Sequence, residues 1–234
     1  MSEAFIDTIV RRAEAARGEL LAAGPLADLV DPDLPIPRPF GGSGPIRLVV
    51  IGQDPTVAKA ASRARIATVL NMDRPGEALY RYIAQICDAL GLAPERHVYA
   101  TNLCKCFFRT PPTTITTVDV LAASLPVWLP ILRDELAQFP DAAVVTLGEP
   151  VLENLVSDPS RRWLRHYWGY RPGWQTAGAG PTLAIEPEAG PLGRRIFPLP
   201  HQPSLRAAFY KAHLDRYLAF IRQTIPAPPG ERVP

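Results

Sequence analysis

Four short apolar runs, each followed by polar or turn-forming residues, dominate the hydrophobic pattern along this chain. Runs of this length, rich in Val and Ile and without polar alternation, are typical of strands buried on both faces of a sheet. They predict four β-strands, over Ile46–Ile51, His97–Leu103, Ala142–Leu147 and Ile196–Leu199.

Helical patterns lie before, between and after these strands. Apolar residues at helical spacing, closed by Gly or Pro, predict four long helices. They cover Glu3–Ala23, Glu77–Leu90, Leu121–Phe139 and Ser204–Ile221, and a short helix ends at Leu155. Pro126 and Pro130 are expected to kink the third helix or divide it in two, and Ser204 is expected to cap the last one.

This alternation of strands and helices predicts an α/β protein, a three-layer α/β/α fold with a central four-stranded parallel sheet. A single domain is expected over residues 1–234. An N-terminal helix and a Pro/Gly-rich connector occupy residues 1–45, the core residues 46–224, and a flexible tail residues 225–234.

Residues 158–195 form an irregular excursion from this core, in which tryptophan and arginine are mixed. The residues concerned are Trp163, Trp168, Trp174, Arg161, Arg162, Arg165 and Arg171. The mixture is compatible with a nucleic-acid surface on which bases stack, with a flap that packs on itself, or with an oligomer contact. The flap is the favoured interpretation.

The composition narrows the class of protein only moderately. The 234 residues are 47% hydrophobic, so one sizeable core is expected, and the net charge of +2 is far from that of a tail-type nucleic-acid binder. The three cysteines and four histidines do not form a metal-binding pattern. Neither a secretory signal nor an apolar run of roughly 20 residues is present, so a reduced, cytoplasmic location and no membrane association are expected.

Polar groups follow three of the predicted strands. Asp54 stands in the turn Gly52-Gln53-Asp54-Pro55, Asn102 ends the second strand, and His201 follows the fourth. Because parallel strands end at one edge, these groups should converge on one crevice. A carboxylate can orient a water, an amide can read a base edge, and an imidazole can stabilise a developing anion.

Each of these residues also has a purely structural interpretation. Asp54 could cap a helix formed by Ala58–Arg65, and from the turn alone this is as well supported as a catalytic role. Asn102 could bond a loop backbone, and His201 could be a packed loop histidine. Leu205 has roughly the spacing of a core position in the last helix.

Three segments, in order, resemble motifs of the uracil-DNA glycosylase superfamily. The GQDP turn resembles the GQDPYH signature of the classical uracil-excising members, and Thr101–Cys106 resembles the TNxxKC segment of the iron–sulfur members. His201–Arg206 resembles HPSPLS, and the segment VVTLG, from Val144, is similar to the third strand of the family. The resemblance covers roughly residues 46–222.

The resemblance implies roles for individual residues. Asp54 would activate water and His201 would stabilise the departing base, while Asn102 would read the base edge and Gln53 would supply backbone donors. Leu205 would fill the gap left by an extruded nucleotide, and Ser204 and Arg206 would contact DNA near a helix N-terminus. Lys105 and Arg109 are further candidates for phosphate contact, although a solvated surface is the safer interpretation.

Departures from the family pattern concern the choice of base. Thr56 stands where classical members carry a tyrosine that excludes the methyl group of thymine, so Thr56 belongs to the expected base site, and Val57 follows it instead of histidine. The segment from Arg65 to Asn71 lacks the aromatic that stacks on the base, for which Phe40 or Phe107 could substitute. Cys106 alone matches a cluster ligand, so no iron–sulfur cluster, metal or other cofactor is expected.

These observations lead to two hypotheses about function. The first is a DNA glycosylase of base excision repair, expected to be a monomer, which hydrolyses the N-glycosidic bond of uracil or a related deaminated or damaged base in DNA. The second is a weak or inactive member of the family that acts as a nucleic-acid binding module. A nucleotide-processing α/β enzyme is less well supported, because no GxxxxGK[ST] or GxGxxG element is present.

Overall fold

A five-stranded sheet forms the centre of the protein. The computed structural model describes residues 1–22, 24–170 and 181–225. The strands are β1 (Phe40–Gly41), β2 (Leu48–Gly52), β3 (Val98–Asn102), β4 (Ala143–Leu147) and β5 (Ile196–Leu199). Their order across the sheet is β1-β3-β2-β4-β5.

The four longer strands are parallel, as predicted, and every residue in them is buried. The sheet is nevertheless mixed, because the two-residue strand β1 pairs antiparallel with β3 at one edge. This strand lies inside the Pro/Gly-rich connector and was not predicted, since two residues are too few to give a hydrophobic pattern.

Eight α-helices surround the sheet within the described residues. They are α1 (Glu3–Ala22), α2 (Ala60–Arg63), α3 (Ala78–Leu90), α4 (Pro94–His97), α5 (Val120–Ala137), α6 (Glu149–Leu155), α7 (Leu164–Tyr167) and α8 (Ala208–Arg222). The connections through α3 and through α5 run towards opposite edges of the sheet, so right-handed crossovers place these helices on opposite faces. Because α8 packs against α3 and α1 packs against α5, the result is a layered α/β/α arrangement.

Two predicted details, the division of the third helix in two and the cap of the last helix, are wrong. Pro126 and Pro130 do not divide α5, which is one helix of 18 residues whose buried side chains, among them Trp128 and Leu132, pack it into the core. Packing of an apolar face thus outweighs the local cost of proline. Ser204 does not cap α8, because Gln202–Arg206 forms a separate 3₁₀ turn and Ala207 is extended before α8 begins.

The described part of the excursion is packed onto the core rather than projecting from it. Trp168 is fully buried, donates its indole N–H to the Pro198 carbonyl at 2.8 Å, and stacks on Tyr217 at 4.7 Å between ring centroids. Trp163 by contrast is 42% exposed. Trp174 and Arg171 lie outside the described residues, as does the predicted tail from residue 226 onwards. None of the helices in the described ranges is long and apolar enough to cross a membrane.

Candidate active site

A cavity of about 430 Å³ opens at the carboxyl ends of the parallel strands. Its polar lining includes Asp54, Thr56, Asn102 and His201, so the three strand-end groups expected to converge do line one crevice. Its apolar lining includes Ile66, Leu70, Leu79 and Leu147. A concave, mainly apolar site with a few polar groups is the usual form of a small-molecule pocket.

The pairing of β2 with β3 brings Asp54 and Asn102 together. Gly52 is the register partner of Asn102, and the bonding continues beyond the strands, where the Cys104 N–H donates to the Gln53 carbonyl at 2.8 Å. A Cβ atom on Gly52 would lie 2.4 Å from Asn102 Oδ1. Position 52 must therefore be glycine for the Asn102 side chain to occupy this place.

The Asp54 carboxylate is held by its own turn. Its Oδ1 accepts the Thr56 N–H at 2.7 Å, and its Oδ2 accepts an N–H of the Gln53 side chain at 2.8 Å. The short helix α2 begins only at Ala60, with Lys59 at its N-cap position. The helix-cap interpretation of Asp54 is thus wrong, because its bonds close an Asx-type turn instead.

Burial of this carboxyl group has an electrostatic consequence. Desolvation raises the pKa of Asp54 to about 6, while the hydrogen bonds from Thr56 and Gln53 and the positive charge of Arg63 oppose the rise. A carboxyl group with a pKa near neutrality can exchange protons under physiological conditions, which is the property expected of an acid–base group.

Arg63 fixes the loop that carries this turn, although it has no acidic partner within hydrogen-bonding distance in the described chain. The guanidinium group is buried and donates to the Val57 carbonyl at 2.7 Å and to the Arg109 carbonyl at 2.6 Å. The Thr56 hydroxyl accepts the Phe108 N–H at 2.8 Å in the same region. The sequence gives no sign of this role, since Arg63 stands among ordinary helix-forming residues.

His201 reaches the cavity from the loop after β5. The loop is anchored by Tyr82, whose hydroxyl donates to the Pro200 carbonyl at 3.1 Å. Gly148, with φ of +98°, lies beside it, and a Cβ there would be 3.5 Å from the Cβ of His201. Although His201 keeps an exposed surface, partial burial lowers its pKa, which favours the neutral imidazole.

The residues that line the cavity bear on the expected difference in base selection. Thr56 lines the cavity, as predicted. No Phe, Tyr or Trp side chain is among the described residues that line it, and the two proposed substitutes, Phe40 and Phe107, lie elsewhere. Leu70 comes from the segment where an aromatic would be expected and packs beside Gly52 and Asn102.

The residues expected to contact DNA are found in two different environments. Ser204, Leu205 and Arg206 lie outside the cavity, on the 3₁₀ turn that follows His201, with Ser204 and Arg206 exposed and Leu205 half-buried. A DNA contact for these three stays a prediction.

Lys105 is buried, and the prediction that it contacts phosphate is wrong. Its ammonium group lies 2.5 Å from Glu135 Oε2 and donates to Thr101 Oγ1 at 2.6 Å and to the Asn102 carbonyl at 2.8 Å. Every donor of this ammonium group is therefore used inside the protein.

The fold and the cavity define an α/β protein with a concave site at the carboxyl ends of the four parallel strands of a mixed sheet. The sequence matches the model of the Uracil DNA glycosylase superfamily over residues 39–223, and the chain belongs to this superfamily. Membership indicates a DNA glycosylase type of function. A comparison with curated proteins gave no significant match.

Proposed function

We propose that this protein is a DNA glycosylase that hydrolyses the N-glycosidic bond of uracil or a related deaminated base in DNA. The observation that supports this most directly is the meeting of Asp54, Asn102 and His201, from three separate strand ends, in one cavity. The cavity volume lies within the usual range of small-molecule sites, so a single base turned out of the helix is a suitable occupant.

Each side chain then has its own part in the reaction. Asn102 pairs with the edge of the base. As the C1′–N bond breaks, its electrons move onto the base, and a neutral His201 donates a hydrogen bond to the growing negative charge. Asp54 stabilises the positive charge on the sugar and accepts a proton from the water that adds to C1′. Thr56 leaves space beside the base, so the enzyme is expected to accept more than uracil.

Excision from labelled oligonucleotides tests this proposal. Substrates carry a single uracil opposite guanine, opposite adenine or in a single strand, or else hypoxanthine, xanthine or mismatched thymine, and alkali reveals abasic sites. We expect cleavage at uracil. Absence of cleavage with every substrate at enzyme excess would reject the proposal. Salt-dependent DNA binding without cleavage would instead support the second hypothesis, that the protein is a nucleic-acid binding module. The absence of an aromatic side chain among the described residues that line the cavity favours this second hypothesis.

The rate of excision is expected to rise with pH through about 6, because the ionised form of Asp54 is the active one and burial raises its pKa to that value. Below this pH the rate should fall about tenfold for each unit. Measurement of kcat/KM between pH 4.5 and 8 tests this. A profile that stays level across this range, as an Asp with an ordinary pKa of about 4 would give, would show that Asp54 does not control the rate.

A further inference from the structure

Besides Gln53 and Asn102, the lining of the candidate active site holds a further side-chain amide, that of Asn71, which neither the family motifs nor the strand-end pattern identifies. Its Oδ1 atom is buried and has no hydrogen-bond partner among the described residues. Asn102 Oδ1 is likewise buried and has no hydrogen-bond partner among the described residues. A buried amide oxygen without a donor is unfavourable, so two of them beside one cavity point to a ligand that supplies the donors.

The backbone that carries Asn71 is in an unusual conformation. Leu70 and Asn71 have φ values of +56° and +53°, in the left-handed region that side chains other than Gly rarely adopt. Asparagine tolerates this region, but leucine is poorly suited to it. Two successive residues in this state need strong external support.

Hydrogen bonds on both sides supply that support. The Asn71 N–H donates to the Thr68 carbonyl at 3.1 Å, and the Asn71 carbonyl accepts the Arg74 N–H at 2.9 Å. Upstream, the Val69 N–H donates to the Arg38 carbonyl at 2.9 Å. A Cβ atom on Gly52 would lie 2.6 Å from Leu70 Cδ2, so the turn packs Leu70 against the end of β2. Asn71 is thereby held at the cavity.

We infer that Asn71 is a second base-reading residue, which together with Asn102 determines which bases the cavity accepts. This inference rests on the proposed function. A base that bonds to both amides needs at least two polar groups, one for each amide. Bases with ring N–H groups flanked by carbonyl oxygens, such as uracil and xanthine, have this chemistry, and the two side-chain amides can both donate to and accept from them.

The alternative explanation is that asparagine is present only because it tolerates the left-handed backbone, and Asn71→Gly separates the two. Glycine adopts this backbone freely, so the variant should unfold at the wild-type temperature or above it while lacking the amide. If Asn71 reads the base, Asn71→Gly binds free uracil or xanthine about tenfold more weakly, the factor expected for one lost hydrogen bond in a dry site.

The experiment uses the full chain and two readouts. Binding of free uracil, hypoxanthine and xanthine is measured by titration calorimetry, and excision of the same bases from DNA is measured in parallel. We expect Asn71→Gly to change the ratios between bases as well as the affinities. Wild-type affinities and ratios in the variant would overturn the inference, as would a wild-type protein that binds none of the bases. A wild-type protein that binds a base but excises none would reject the proposed function, while the comparison of binding would still decide the role of Asn71.

Discussion

Replacing Asp54 with asparagine is expected to lower base excision by a factor of about 10²–10⁴, the usual contribution of one acid–base group. Asparagine keeps the size of the side chain and an oxygen that can accept the Thr56 N–H, which is bonded at 2.7 Å in the wild type. It can neither accept a proton from water nor balance the positive charge of the sugar. Excision of uracil under single-turnover conditions measures the effect.

Stability and DNA binding should be retained in the Asp54→Asn variant although base excision falls. Burial raises the pKa of Asp54 to about 6, so at pH 8 the wild-type protein holds a buried, ionised carboxylate, which is unfavourable for stability. Removing that charge should leave the unfolding temperature equal or higher, and uracil-containing DNA should still bind. Sites of catalysis commonly carry such a cost in stability.

The matched control is Asp28→Asn, at an exposed carboxylate outside the cavity. It should change none of the three measurements. An Asp54→Asn protein that excises uracil at the wild-type rate would remove Asp54 from the mechanism. A variant that unfolds much earlier and loses DNA binding would make Asp54 a structural residue.

The sheet and the convergence of its strand ends could be predicted because both depend on local patterns. Continuous apolar runs identify the parallel strands, and a polar residue directly after such a run must lie at the same edge as the others. This reasoning places Asp54, Asn102 and His201 at one cavity, where the structure has them.

What could not be predicted depends on contacts between distant segments. A single arginine in a helix-forming stretch gives no sign that it will bind carbonyl groups more than forty residues away, as Arg63 does. The left-handed backbone at Leu70 and Asn71 is likewise imposed by neighbours rather than by a glycine in the sequence. The burial of Lys105 could not be predicted either, because a lone lysine is normally solvated and its partner, Glu135, is thirty residues away.

The second large effect is expected from the substitution Lys105→Met. It should lower the free energy of unfolding by about 3–5 kcal/mol, the usual result of removing one partner from a buried ion pair. Glu135 is fully buried and, among the described residues, would keep only the hydroxyl groups of Tyr99 and Thr101, at 2.7 and 2.8 Å from its Oε1. Two neutral donors do not replace an ammonium ion in compensating a buried charge. Urea unfolding of the variant and the wild type measures the loss.

Two further proteins separate the ion pair from a general effect of methionine. Lys59→Met removes an exposed lysine and should change stability by less than about 0.5 kcal/mol. In the double variant Lys105→Met with Glu135→Gln the buried charge is gone, so a substantial part of the lost stability should return. A loss below about 1 kcal/mol in the single variant, or no recovery in the double one, would show that the pair contributes as little as a surface salt bridge.

The same network links the core to the cavity. Lys105 Nζ donates to the Asn102 carbonyl at 2.8 Å, and Asn102 is the last residue of β3 and lines the cavity. In the double variant, stability returns but this bond to the carbonyl does not. We therefore expect the double variant to bind free uracil more weakly than the wild type, even where the unfolding curves of the two proteins nearly coincide. This result would place Lys105 among the residues that position Asn102.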